Sequence, residues 1–316
     1  MKKQIMRMLT TICLAVCCTV SASALPKTLI PGGCTIGVKL YAQGPVVTGF
    51  EKRSAAKEAG LKKGDVIIQV DGEAVHTAAA LRESLEEEQV ILTILRDGKE
   101  AEFCVKPKNS QIGAYVQDSV AGIGTVTYYD PNTGEFGALG HGVSHADTGL
   151  LVPVEAGVAV KSTVADVVKG ESGVPGELKG HFDVNTILGE VAVNDAHGIF
   201  GTLSVPVAGT PMPVAEAGEV ETGPATILAN VTGEQVQSYS VEILKLYPHA
   251  DDAGRNLLLR VTDPALLQAT GGIVQGMSGS PIIQDGKLVG AVTHVLVNSP
   301  DTGYGIFIEN MLDAAE

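Results

Sequence analysis

The chain has 316 residues, a formal net charge of −14, 45% hydrophobic residues, 38 glycines and no tryptophan. That length has room for two domains, and the apolar content excludes a disordered chain while the many glycines favour a turn-rich, strand-dominated one. The acidic balance argues against nucleic acid as a partner, because phosphate binding needs a basic footprint.

The N-terminus begins with Lys2, Lys3 and Arg7, continues with an apolar run from Met8 to Val20, and ends in Ala22-Ser23-Ala24. This order predicts a Sec-type export signal over residues 1–24, cleaved after Ala24. The alternative, an uncleaved anchor, wants roughly 20 apolar residues, and this run is shorter. Leu14-Ala15-Val16-Cys17 is a poor lipoprotein box because bulky Val16 precedes the cysteine. Removal of the signal leaves Cys34 and Cys104 of the five cysteines. Export permits a bridge between them, two free thiols are equally compatible with the sequence, and two cysteines make no disulfide framework. No spacing predicts a metal site, and no cofactor is expected.

Residues 36–106 read as one unit. Gly37 to Leu40 and Pro45 to Phe50 are strands, and Ser54 to Leu61 is a short helix with Gly60 as its cap. Lys62 to Gly72 reads as a turn, a buried strand and a second turn. Thr77 to Glu88, with Leu81 and Leu85 four apart, is an amphipathic helix whose leucines face the core. Val90 to Leu95 and Ala101 to Val105 form a hairpin across Asp97-Gly98. The run from Ser54 to Gly72 resembles a PDZ domain of the bacterial protease type, which binds an extended peptide as an added strand between a sheet edge and a helix. The resemblance puts the peptide-binding edge at Val46, Val47 and Thr48.

Residues 107–111 read as a linker. From residue 112 to 316, short β-branched runs alternate with Gly, Asp, Asn and Pro turns, which predicts an all-β barrel or sandwich. Within it, Gly276-Met277-Ser278-Gly279-Ser280-Pro281 precedes two apolar runs joined by Gln284-Asp285-Gly286-Lys287, a tight hairpin. The flanking glycines allow a sharp turn that exposes the Ser278 hydroxyl and aims N–H groups at one point, as acyl transfer requires. The hexapeptide resembles the nucleophile loop of trypsin-like serine peptidases, although a Gly/Ser turn between strands would read the same.

A base and an orienting acid must join that serine. His141, bracketed by Gly140 and Gly142, is the leading base. His145 reads as a surface loop residue, His294 as a reserve base on a strand, and His76, His181, His197 and His249 as surface or structural residues. A metal shared by His141 and His145 is disfavoured, because the glycines discourage a helix and no glutamate follows His141. For the acid, Asp263 in Val261-Thr262-Asp263-Pro264 competes with Asp147, and an Asp-Pro turn is the plain alternative for Asp263.

The segments Gly137–Gly142, Val261–Pro264, Thr270–Pro281 and Gly303–Ile308 together resemble the SpoIVB peptidase family of endospore-forming bacteria, from about Leu29 to Leu312. The resemblance implies a mainly β protein, with an α+β PDZ domain followed by a trypsin-like double β-barrel. It implies Ser278 as nucleophile, His141 as general base and Asp263 as orienting acid, with the N–H groups of Gly276 and Ser278 as oxyanion hole. It further implies a self-cleaving regulatory endopeptidase, exported to the space between the two sporulation membranes. Its partners would be protein substrates, itself and the extracytoplasmic part of a membrane-bound sporulation regulator.

Overall fold

The computed structural model describes residues 28–96, 98–146, 148–205, 207–249 and 255–315. The expected export signal, Asp97 and Asp147 lie outside the described residues. The N-terminal part runs β1 (Thr28–Pro31), β2 (Thr35–Phe50), α1 (Ala55–Ala59), β3 (Val66–Val70), β4 (Glu73–Ala74), α2 (Ala78–Glu83), β5 (Val90–Arg96) and β6 (Lys99–Val105). Then follow β7 (Ala114–Tyr129), β8 (Glu135–Ala138), β9 (Val154–Val168), β10 (Glu177–Asp195), β11 (Gly198–Leu203) and β12 (Met212–Pro213). The last part holds β13 (Gly223–Ala229), β14 (Gln237–Leu246), β15 (Leu257–Val261), α3 (Pro264–Thr270), β16 (Pro281–Gln284), β17 (Lys287–Leu296), β18 (Ser299–Phe307) and α4 (Ile308–Asp313).

The PDZ unit is built as its residues dictate. Ser54 caps α1 by accepting from the Lys57 N–H, and Gly60 ends it at φ 104°. Leu81 and Leu85 enter the core with Ile67, Leu92 and Ile94. Helix α2 stops at Glu83, short of the expected Glu88. Ser84 folds its hydroxyl back to the Ala80 carbonyl at 3.0 Å, and three glutamates would otherwise crowd the negative end of the helix dipole. Buried Asp65 takes a forked pair of 2.6 Å bonds from Arg96 and a 2.7 Å bond from the Lys62 N–H, which pins the turn before β3.

Beyond the PDZ unit stand two six-stranded barrels, the trypsin-like arrangement. In the second, β13-β14-β15-β18-β17-β16 closes on itself. In the first, β7, β8, β11, β10, β9 and β2 pair in that order, and β2 pairs back to β7. The unit expected at 36–106 therefore divides. The first half of β2, from Thr35 to Ala42, pairs with β7 and β9 as a barrel strand, and only its second half belongs to the PDZ sheet. Ile36, Val38 and Leu40 fill the first barrel with Val126, Phe136 and Ile199. Their period-2 spacing reads as a strand in either context, so the sequence could not say which sheet they join. Leu29, Tyr128, Phe200, Leu288 and Ile306 pack the seam between the barrels.

Candidate active site and peptide groove

His141 follows β8 through a strained corner. Leu139 sits at φ 71°, and the Gly140 N–H reaches back to the Ala138 carbonyl at 2.9 Å, a γ-turn whose central residue carries roughly 1–3 kcal/mol of strain. Gly140 must be glycine here: a Cβ would lie 2.8 Å from the Thr293 methyl of the second barrel, and its φ is 68°. The corner thus brings the imidazole to the seam. His141 Nδ1 lies 2.9 Å from the Gly142 carbonyl oxygen. A carbonyl can only accept, so Nδ1 carries the proton and Nε2 keeps its lone pair. Burial lowers the His141 pKa, and the Gly142 bond opposes that in part. The ring lies 5.1 Å from that of His294.

Ser278 enters from the other barrel on the loop before β16. Gly279, at φ 97°, has no room for a Cβ, which would fall onto the Thr125 carbonyl and 2.5 Å from the Leu139 N–H. Thr125 binds both arms of the site. Its N–H donates to the Ser278 carbonyl at 2.9 Å, its hydroxyl to the Gly276 carbonyl at 2.8 Å, and its carbonyl accepts from Leu139 at 3.1 Å. Thr127, on the same face two residues on, donates to the Gly279 carbonyl at 2.8 Å. With these carbonyls held, the N–H groups of residues 275, 277, 279 and 280 all find backbone acceptors. Those of Gly276 and Ser278 have none among the described residues. The Ser278 hydroxyl donates to the Thr293 carbonyl at 2.8 Å. Ser278, His141, His294 and Gly276 line one cavity of about 360 Å³. A second cavity of about 400 Å³, bounded by Val38, Val120 and Gln275, continues it past His141.

Asp263, expected as the acid on His141, stands at the start of α3. Its carboxylate caps α3, accepting from Ala265 at 2.9 Å and Leu266 at 3.2 Å, and takes the Ser240 N–H at 3.3 Å. The Asp-Pro pair starts a helix in the second barrel, Nδ1 of His141 faces Gly142, and among the described residues no hydrogen bond joins the Asp263 carboxylate to His141. His145, expected at the surface, is buried at 1% exposure. Its loop folds back through the Ser144–Leu151 bridge, which sets the ring 3.4 Å from Gln117 Oε1. His197 pairs with Asp195 at 2.6 Å. Cys34 and Cys104 are free thiols, one at the first barrel and one on the exposed β6.

Sequence reasoning missed Thr125, Thr127 and Asn194. The threonines carried a signal, two polar side chains alternating within the run Gly124–Tyr129, which is buried on both faces. Asn194, which bonds Val143 and Val152, carried none.

The peptide edge expected at Val46, Val47 and Thr48 is also corrected. Val46 and Val47 pair with Gln117 and Val116 of β7, and the Thr48 hydroxyl donates to the Tyr115 carbonyl at 3.3 Å. On the other side Val46 pairs with Val66 of β3. Both edges are occupied. A groove of about 370 Å³ lies one strand further out, between α2 and the Ala114–Val116 stretch of β7, closed at one end by Ser110–Gly113. No strand covers that outer side of residues 114–118 among the described residues. The N–H groups of Ile112 and Gly113 at its closed end have no acceptor among the described residues.

A PDZ-domain model matches residues 46–96. Among solved structures, the Rv3671c protease in its inactive form is 15% identical, covering 61% of this chain and 82% of that one at a TM-score of 0.35. The active form of the M. tuberculosis protein is 16% identical, covering 63% and 75% at a TM-score of 0.33. The model of the SpoIVB peptidase S55 family matches residues 108–312, most of the chain. The chain therefore belongs to the SpoIVB peptidase S55 family and is a serine endopeptidase carrying a PDZ domain.

Proposed function

We propose that Ser278 is the nucleophile, His141 the general base, and the N–H groups of Gly276 and Ser278 the oxyanion hole. The observation that carries this reading is the pair of N–H groups without acceptors among the described residues, one on either side of Met277 in a loop whose other N–H groups are bonded. Rotation about the Ser278 side chain moves its hydroxyl from the Thr293 carbonyl toward Nε2 of His141. Nε2 takes the proton as the oxygen attacks the scissile carbonyl, and the two N–H groups receive the negative charge that develops. The imidazolium then protonates the leaving amine. A water molecule, deprotonated by the same nitrogen, releases the acyl group from Ser278. The lowered pKa of His141 keeps the ring neutral, and therefore competent as a base, at neutral pH.

The biological reading follows the family. The chain is a regulatory peptidase of sporulation, exported by residues 1–24, that cleaves itself and then the extracytoplasmic part of a membrane-bound regulator, triggering intramembrane proteolysis and maturation of a sigma factor. Its partners are protein segments, and the family match with an attached PDZ domain supports this. The occupied edge at Val46–Thr48 moves the peptide groove outward, so an incoming strand pairs with Ala114–Asp118 of β7 beneath α2. The test uses purified protein with a fluorophosphonate probe. Wild type should be labelled at Ser278 and should process itself, and Ser278→Ala should do neither while melting at the same temperature. Undiminished processing by the alanine variant would remove Ser278 from the mechanism. In sporulating cells, the same variant should block sigma-factor maturation.

A further inference from the structure

The cavity beside Ser278 has two sides, and the reaction tells them apart. His141 protonates the leaving amine, so the departing residues extend past His141 into the second cavity, bounded by Val38 and Val120. The residue that supplies the attacked carbonyl then lays its side chain on the opposite side, against Ile273, Val274 and Val295 of the second barrel. Among the described residues no Asp, Glu, Lys or Arg lines this cavity. Its floor is closed. Val295 pairs with Gly303, and Ile273 Cδ1 covers that glycine so closely that a Cβ on it would fall 2.7 Å away. Nor can the walls spread, because the tip of the β9–β10 hairpin reaches over from the first barrel and ties them together. The Gly170 N–H donates to the Thr270 carbonyl at 2.8 Å, and the Gly173 N–H to the Val297 carbonyl at 2.9 Å. The Ser172 hydroxyl donates to the Asn298 carbonyl at 3.0 Å, and the Gly176 carbonyl accepts from the Gln275 N–H at 2.9 Å.

We propose that this closed apolar slot is the specificity pocket, that Ile273 and Val295 set its depth and width, and that it takes a short aliphatic side chain of the valine class on the acyl side of the cut bond. The inference deepens the reading of Ser278 as nucleophile and rests on it. A slot so lined gains by removing aliphatic surface from water. A lysine or glutamate side chain would lose its hydration there and meet no opposite charge, which weakens binding. Asp301, the acid nearest in sequence to the floor, holds the Thr302 hydroxyl at 3.1 Å and stands outside the lining. A phenylalanine ring would run into Ile273 and the tied walls. In a packed slot each excess or missing methylene changes the rate about 10–200-fold. The substrates are therefore segments cut after a valine-like residue, and basic or acidic residues at that position are rejected.

The experiment offers the full chain a set of peptidyl diphenyl phosphonates that differ only in the side chain beside phosphorus: valine, phenylalanine, lysine or glutamate. Each mimics the acyl residue, and intact mass reads the rate at which Ser278 is labelled. Wild type should react with the valine probe at least about tenfold faster than with each of the others. Ile273→Ala and Val295→Gly, which open the floor and the wall, should each cut the valine-over-phenylalanine ratio about tenfold or more. Val295→Asp, at a half-buried position, should raise the lysine rate relative to valine by a similar factor. Thermal unfolding and a fluorophosphonate, which presents no side chain to the pocket, report whether each variant is folded and reactive. Should none fold, the wild-type series decides alone. Equal or faster labelling of wild type by the lysine or glutamate probe overturns the proposal, as does an unchanged valine-to-phenylalanine ratio in the folded variants. A wild type that ignores the fluorophosphonate counts against Ser278 and takes the pocket with it. A wild type that accepts the fluorophosphonate but does not discriminate among the four side chains counts against the pocket alone.

Discussion

Asp263 is the residue on which family resemblance and geometry part, and two substitutions separate them. As a helix cap it gives three acceptor contacts, to Ala265, Leu266 and Ser240. Asp263→Ala removes the cap, at about 1 kcal/mol, and the longer Ser240 contact, at about 0.5–1 kcal/mol for a half-exposed bond. The sum, about 1.5–2 kcal/mol, lowers the melting temperature of a unit this size by roughly 3–8 °C. Asp263→Asn keeps one oxygen for the cap, since asparagine caps about as well as aspartate. It turns an amide NH₂ toward the Ser240 N–H, so a loss of about 0.5–1 kcal/mol is expected. An acid that orients the base behaves differently: the asparagine variant would lose about 10⁴ in turnover with almost no change in stability. The assay pairs thermal unfolding with labelling of Ser278 and self-cleavage. Geometry predicts a rate change within about threefold for Asp263→Asn, far from the 10⁴ of a tautomer defect. A collapse of turnover at an unchanged melting temperature would refute the capping argument and return Asp263 to the imidazole.

Thr125→Val deletes the hydroxyl that holds the Gly276 carbonyl in a buried setting; we expect a loss of about 1–3 kcal/mol and a fall in turnover with little change in KM, both restored by Thr125→Ser. Normal turnover in a folded valine variant would show that the loop from Gly276 to Ser278 holds its shape without this bond. The pH profile follows from burial of His141, which lowers its pKa in the folded protein. The acid limb of labelling should therefore lie below about 6.5, the ordinary histidine value. The unfolded chain takes up this proton at a higher pH than the folded one, so the His141 contribution to stability is complete above about 6.5 and is lost as pH falls through the folded value. His141→Gln should flatten that part of a stability-versus-pH curve, and an unchanged slope would mean that other groups carry it.

Much of the site could be read from residue types and their local order. Gly276 to Pro281 marks a candidate nucleophile loop because glycines beside a serine permit a sharp turn wherever the loop sits. Gly140 and Gly142 marked His141 in the same way. Other readings turn on tertiary context. Asp263 before Pro264 is a helix start by local rules and a triad acid by family pattern, and only the position of α3 within the second barrel separates the two. The valines of β2 advertise an open edge until β7 is seen lying along it, 67 residues further along the chain in the Thr48–Tyr115 bond. Asn194 is an ordinary hairpin residue until pairing of β10 with β9 and β11 carries it to the loop after His141.

Composition, hydrophobic alternation and glycine placement predicted a strand-rich protein behind a small α+β unit and marked Ser278 and His141 as candidates, because these signals are short-range and each is written in a few consecutive residues; the peptidase and PDZ readings came with the family resemblance. Tertiary structure alone decided which strands share β2, where a groove opens beside α2, and what faces Nδ1 of His141. Each of those depends on main-chain donors and acceptors meeting across closed barrels. Main-chain groups are the same at almost every residue, so no side-chain pattern announces their pairing in advance.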